Sequence, residues 1–63
     1  MGIYKNIQNA CKAKGVTIMG LEDKLGFGRG SIYKWDDHLP SVLKVKMVAD
    51  ELDTTVDELI KEE

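Results

Sequence analysis

Residues 17–35, TIMGLEDKLGFGRGSIYKW, decide the fold of this chain, because their pattern is typical of two short helices joined by a tight turn. Thr17 is a good N-cap for the first of these helices, and Gly26 is placed to end it. The second helix is expected over about residues 28–35. The apolar residues that would bury the inner side of both helices are Leu21, Leu25, Phe27, Ile32 and Trp35.

Three further helical patterns flank this pair, and no strand pattern is present. The first covers about 3–14, with Gly15 placed as its left-handed C-cap. Ser41 is the expected N-cap of the next, and Thr55 with Glu58 predicts a capping box for the last. The apolar stripes of these helices are Ile3, Ile7, Ala10 and Cys11, then Val42, Val45, Val48, Ala49 and Leu52, then Val56, Leu59 and Ile60. The sequence therefore predicts a compact all-α fold of five helices.

Chain length and composition narrow the class of protein. Sixty-three residues make one domain, expected over residues 1–63. The single cysteine, Cys11, excludes an intramolecular disulfide and reads as a small core residue. No apolar run is long enough to span a membrane, so we expect a cytoplasmic protein.

The net charge of −2 hides an uneven distribution. Residues 1–49 hold eight basic and four acidic side chains, whereas residues 50–63 hold one basic and seven acidic. A chain with one basic region and one acidic end can present a cationic face to phosphate, although a solvated surface would look the same in sequence.

The outer side of the 28–35 helix is the candidate functional surface. Arg29, Ser31, Tyr33 and Lys34 are left there once the apolar positions are buried. A displayed helix of this size fits the major groove of DNA. Because a glycine in a helix often marks a close approach to the backbone, we expect Gly30 to serve such an approach, and Gly30→Ala to stabilise the fold.

The chain resembles the lambda-repressor-like helix-turn-helix domains, the class of Cro and the phage repressors. Residues 17–35 resemble the helix-turn-helix itself, and residues 40–60, PSVLKVKMVADELDTTVDELI, resemble the fourth and fifth helices of that family. The resemblance covers most of the chain, from about Ile3 to Ile60. It implies a five-helix fold, double-stranded operator DNA as the partner, no cofactor, and a homodimer on DNA.

The resemblance also implies roles for individual residues. Arg29 and Gly30 match the start of the recognition helix, where side chains reach base edges, and Lys34 matches a later position facing the groove. Ser31 and Tyr33 match the flanks, where sugar and phosphate contacts are expected. The positions implied to contact phosphate from the preceding helix and from the following loop are Thr17, Ile18, His38, Ser41 and Lys44.

Other site classes are weaker. Asp36, Asp37 and His38 are adjacent in a predicted loop and cannot surround a metal ion by themselves, so we expect no metal site. Asp36 and Asp37 also place negative charge near the expected phosphate positions. The lone histidine and lone cysteine form no recognisable catalytic arrangement, so we expect no enzyme activity.

Two functions remain open from the sequence. The first is a sequence-specific transcriptional regulator that reads duplex DNA; the second is a protein-interaction module, for example one that holds a regulator or a toxin.

Leu43 and Met47 lie four apart off the core stripe of their helix, and with Leu39 and Ile60 they form a candidate dimer contact. We expect a chain that is monomeric or weakly dimeric when free and pairs on DNA.

Overall fold

The computed structural model describes residues 2–61, and every regular element within that range is helical. The α-helices are α1 (Ile3–Lys14), α2 (Ile18–Leu25), α3 (Val42–Glu51) and α4 (Val56–Ile60), and a 3₁₀ helix occupies Tyr33–Asp36. The Cα radius of gyration of 10.2 Å is that of a compact chain of this length. Glu62 and Glu63, which end the acidic segment, lie outside the described residues.

The helix ends confirm the predicted N-caps and C-caps, but the Glu58 side chain expected to complete a capping box pairs with Lys61 instead. The hydroxyl oxygens of Thr17, Ser41 and Thr55 each accept a hydrogen bond from the backbone N–H three residues later, at 3.0, 3.4 and 3.1 Å. Gly15 and Gly26 end α1 and α2 in the left-handed conformation, with φ of 78° and 77°. Side-chain capping therefore fixes where three of the four α-helices begin, and left-handed glycines fix where two of them end.

The core lies between α1, α3, α4 and the 3₁₀ helix, with α2 packed against α1 and α3. Its buried apolar residues are Ile3, Ile7, Cys11, Leu21, Ile32, Trp35, Val45, Val48, Ala49, Leu52 and Leu59. Leu25, Phe27, Ala10 and Val56 pack on its edge. Val42 was expected in this core but is 74% exposed, because it begins α3 and the buried stripe starts one turn later, at Val45.

Two long-range hydrogen-bond groups join α1 to the rest of the fold. Asp36 Oδ1 accepts from the Tyr4 N–H at 3.1 Å, so a side chain from the 3₁₀ helix caps the first turn of α1. The Asn6 side-chain amide donates to the carbonyls of Leu59 and Lys61, both at 2.8 Å, which satisfies the end of α4. Asp36 thus belongs to the 3₁₀ helix, not to the loop predicted for it.

The predicted third α-helix over 28–35 is wrong. Hydrogen-bonded turns occupy residues 29–32, and only the following residues are helical, as the short 3₁₀ element. Gly30 has φ +82°, a left-handed conformation that an α-helix does not contain. The fold therefore has four α-helices in its described residues rather than five, and Gly30 serves a turn rather than a close helical approach.

Candidate functional site

Residues 29–36, the turns and the 3₁₀ helix together, are called the display segment below. A buried carboxylate fixes its first half. Glu22 on α2 is 1% exposed, and its two oxygens accept from the backbone N–H groups of Gly30 at 3.2 Å and Ile32 at 3.1 Å. Hydrogen bonds to a charged acceptor are among the stronger ones in proteins, so this two-point contact holds the turn against α2.

Glu22 was missed in the sequence because charged residues are rarely buried. Its position carried the signal nonetheless. Ile18, Leu21, Glu22 and Leu25 are spaced as one face of a helix, so a glutamate there falls on the inward side of α2. A carboxylate on an inward face needs donors, and the turn that follows α2 supplies two of them.

The side chains of the display segment fall into two sets. Ile32 and Trp35 are buried, as predicted, and tie the segment to the core. Arg29, Tyr33 and Lys34 are exposed, so the structure brings these predicted site residues to one exposed stretch of chain. Gly30 and Ser31 are less exposed than expected, because each is partly buried.

Aromatic contacts hold the second half of the display segment. The Tyr33 ring lies edge-on to that of Tyr4 with their centroids 5.3 Å apart, although Tyr33 is itself 69% exposed. The rings of Phe27 and Trp35 are 5.8 Å apart. Lys44 Nζ lies 5.9 Å from the centroid of the Phe27 ring, so this lysine of α3 lies near the residues that lead into the display segment.

The remaining predicted phosphate-contacting residues lie on the helix starts and the loop. Thr17, His38, Ser41 and Lys44 are exposed, while Ile18 is half-buried against the core. The hydroxyl oxygens of Thr17 and Ser41 already accept their capping hydrogen bonds. Their hydroxyl protons remain the groups that could donate to an anion.

Ion pairs divide the basic residues into two groups. Three lysines pair with carboxylates among residues 50–53. The pairs are Lys14 with Asp53, Lys24 with Glu51 and Lys46 with Asp50. Arg29 pairs with Asp23 on α2, its Nη2 lying 3.2 Å from Oδ2. Within residues 2–61 the lysines that have no carboxylate within salt-bridge distance are Lys5, Lys12, Lys34 and Lys44. Of these four, Lys34 lies in the display segment and Lys44 lies near Phe27.

Exposed apolar side chains gather at the start of α3. Leu39, Val42 and Leu43 are 80%, 74% and 70% exposed, and Ile60 on α4 is 51% exposed. Met47, the other predicted contact residue, is half-buried. Val42, which was expected in the core, therefore belongs to this exposed group.

Other candidate chemistry is limited in the described residues. Cys11 is buried, and burial raises the pKa of its thiol, which disfavours the reactive thiolate. Between residues 2 and 61, no three His, Cys, Asp or Glu side chains group as metal ligands would. None of the helices in the same range is long and apolar enough to cross a membrane.

Comparisons with known proteins identify no relative. No family model matches the chain, and no match was found among the curated proteins or the solved structures.

Proposed function

We propose that this chain is a sequence-specific DNA-binding regulator of the lambda-repressor-like helix-turn-helix type, acting in the cytoplasm without enzyme activity or a cofactor. The observation that carries the proposal is the anchored display segment. Glu22 and two buried apolar side chains hold its backbone, while Arg29, Tyr33 and Lys34 project to solvent. Arginine and lysine on a rigid edge are the side chains that read guanine and contact phosphate.

The shape of the display segment changes how it would enter a groove. A full recognition helix would lie along the major groove, whereas four 3₁₀ residues extend only about 8 Å. The segment would therefore present its turn, which begins at Arg29, to the base edges. The major groove is about 12 Å wide and admits an element of this size.

The charge pattern supports binding to phosphate on the same side. Four of the five acidic side chains among residues 50–61 pair with lysines, which offsets part of their negative charge. Among the described residues, Lys34 within the display segment and Lys44 near Phe27 have no carboxylate within salt-bridge distance, so their charge is available to phosphate. Asp36, whose charge would oppose phosphate, accepts the hydrogen bond that caps the first turn of α1.

The alternative function is a protein-interaction module, for example an antitoxin or a domain that binds another regulator. The exposed Leu39, Val42 and Leu43 favour it, because apolar side chains at the surface are typical of a protein contact. The same residues fit a second copy of the chain, with Met47 and Ile60 at the edge. A homodimer on two half-sites about 34 Å apart would use the display segment of each copy to bind DNA and the exposed apolar residues to contact the other copy.

Selection from a pool of random duplexes tests the proposal. The expected result is a recovered consensus whose binding weakens steeply with salt. Lys44→Ala should weaken binding to all duplexes about equally and reduce the salt slope by about one ion per site. Lys46→Ala is the matched control, because it removes an exposed lysine from the same helix that is already paired with Asp50. Recovery of no duplex above background contradicts the proposal and favours the protein partner.

A further inference from the structure

An exposed ion pair spans the turn between α2 and the display segment. Arg29 Nη2 donates to Asp23 Oδ2 at 3.2 Å, and the two side chains are 62% and 60% exposed. The backbone next to Arg29 is held as well, since the Gly30 N–H donates to Glu22. Glu22 thus holds the backbone N–H of Gly30, and Asp23, the next residue along α2, holds the guanidinium of Arg29.

The pair leaves Arg29 able to bind a base. A guanidinium has five N–H donors in a planar fork, and the contact with Asp23 is made through Nη2. The other donors can pair with guanine O6 and N7, which requires two parallel N–H groups. These donors match the guanine of a G·C pair in the major groove.

Given duplex binding by the display segment, we propose that Asp23 is a positioning residue that makes Arg29 select a G·C pair. A free arginine contacts phosphate on any sequence equally well. Held by Asp23, the guanidinium is ordered before binding, so less side-chain freedom is lost at the base edge. The negative charge of Asp23 also opposes contact with phosphate. Asp23 therefore increases discrimination while lowering affinity for random DNA.

This dual role predicts opposite effects of one substitution. Asp23→Ala should reduce discrimination between the selected duplex and the same duplex with one G·C pair changed to A·T, by about tenfold. It should raise affinity for a random duplex severalfold and steepen the salt dependence, because Arg29 then becomes free to contact phosphate. A role of Asp23 in folding alone would lower both affinities together.

The matched control is Asp50→Ala. Asp50 pairs with Lys46 on α3, and these side chains are 66% and 61% exposed, so the substitution removes the same charge from a similar pair. It should leave discrimination unchanged. Asp23→Asn keeps the side-chain shape without the charge and should behave like Asp23→Ala if the charge holds Arg29.

The effect of Asp23→Ala on discrimination must also disappear when Arg29 is removed. In an Arg29→Ala background, Asp23→Ala should no longer change discrimination at any base pair. Equal discrimination in the wild type and Asp23→Ala, or a loss of the same size in the Arg29→Ala background, overturns the role of Asp23 while leaving duplex binding in place. A wild-type chain that binds no duplex overturns the proposed function itself, and this role of Asp23 with it.

Discussion

Replacing Gly30 with alanine distinguishes a turn from a helix at the display segment. At φ +82°, an L-residue carries a conformational cost of roughly 1–2 kcal/mol. A Cβ at Gly30 would meet no atom within 4 Å, so no steric clash adds to it. The reduced freedom of alanine in the unfolded chain offsets about 0.4–1 kcal/mol. The net expectation is a destabilisation of about 1 kcal/mol.

Two other glycines provide internal controls. Gly15 and Gly26 have φ of 78° and 77°, and a Cβ at either would also meet nothing within 4 Å. Alanine at all three positions should therefore lower the free energy of unfolding by similar amounts. Only Gly30→Ala should also disturb the contact with Glu22 and the proposed DNA binding, since of these three glycines only Gly30 donates its N–H to that carboxylate.

Thermal unfolding is the appropriate assay. A change of about 1 kcal/mol shifts the Tm of a domain this small by roughly 4–8 °C. Chemical synthesis allows D-alanine at position 30, which favours positive φ and should raise the Tm where L-alanine lowers it. A helix interior would give the reverse, with L-alanine stabilising by up to about 1 kcal/mol. A higher Tm for Gly30→Ala would refute the turn assignment.

Three further expectations concern other parts of the molecule. Glu22→Gln should destabilise the fold by about 2 kcal/mol in urea unfolding, because an amide NH₂ then faces a backbone N–H donor. NMR titration should place the Asp53 pKa below the ordinary value, mainly through the hydrogen bond from Lys14, and Lys14→Ala should raise it. The lowered pKa means that the pair stabilises the fold above the ordinary pKa of aspartate, near 4, and that this contribution is lost as the pH falls below it. Leu43→Glu and Met47→Glu should leave the free chain monomeric in sedimentation but prevent pairing on a two-half-site duplex; unchanged pairing would place the contact elsewhere.

Elements that depend on local chemistry could be predicted from the sequence. The bounds of α1 follow from its apolar stripe and Gly15, and the capping roles of Thr17, Ser41 and Thr55 follow from hydroxyls next to helical patterns. Each depends on contacts within a few residues along the chain. Such contacts are visible in a sequence because the interacting groups are also neighbours there.

The display segment depends on contacts between residues further apart, and there the sequence was insufficient. Its apolar residues Ile32 and Trp35 were correctly placed in the core, since their spacing suits a 3₁₀ turn as well as an α-helix. What separates the two is the left-handed Gly30, held by a carboxylate eight residues earlier. The pairing of Arg29 with Asp23 is equally invisible in a pattern of charges.

An amide NMR titration with the duplex recovered by selection would show whether the display segment binds DNA, because it reports which residues contact the duplex. We expect the largest shift changes in the display segment and at Lys44, with little change in α4. We also expect these changes to diminish as salt is raised. Shift changes centred on Leu39, Val42 and α4, or no change at all, would contradict DNA binding by the display segment.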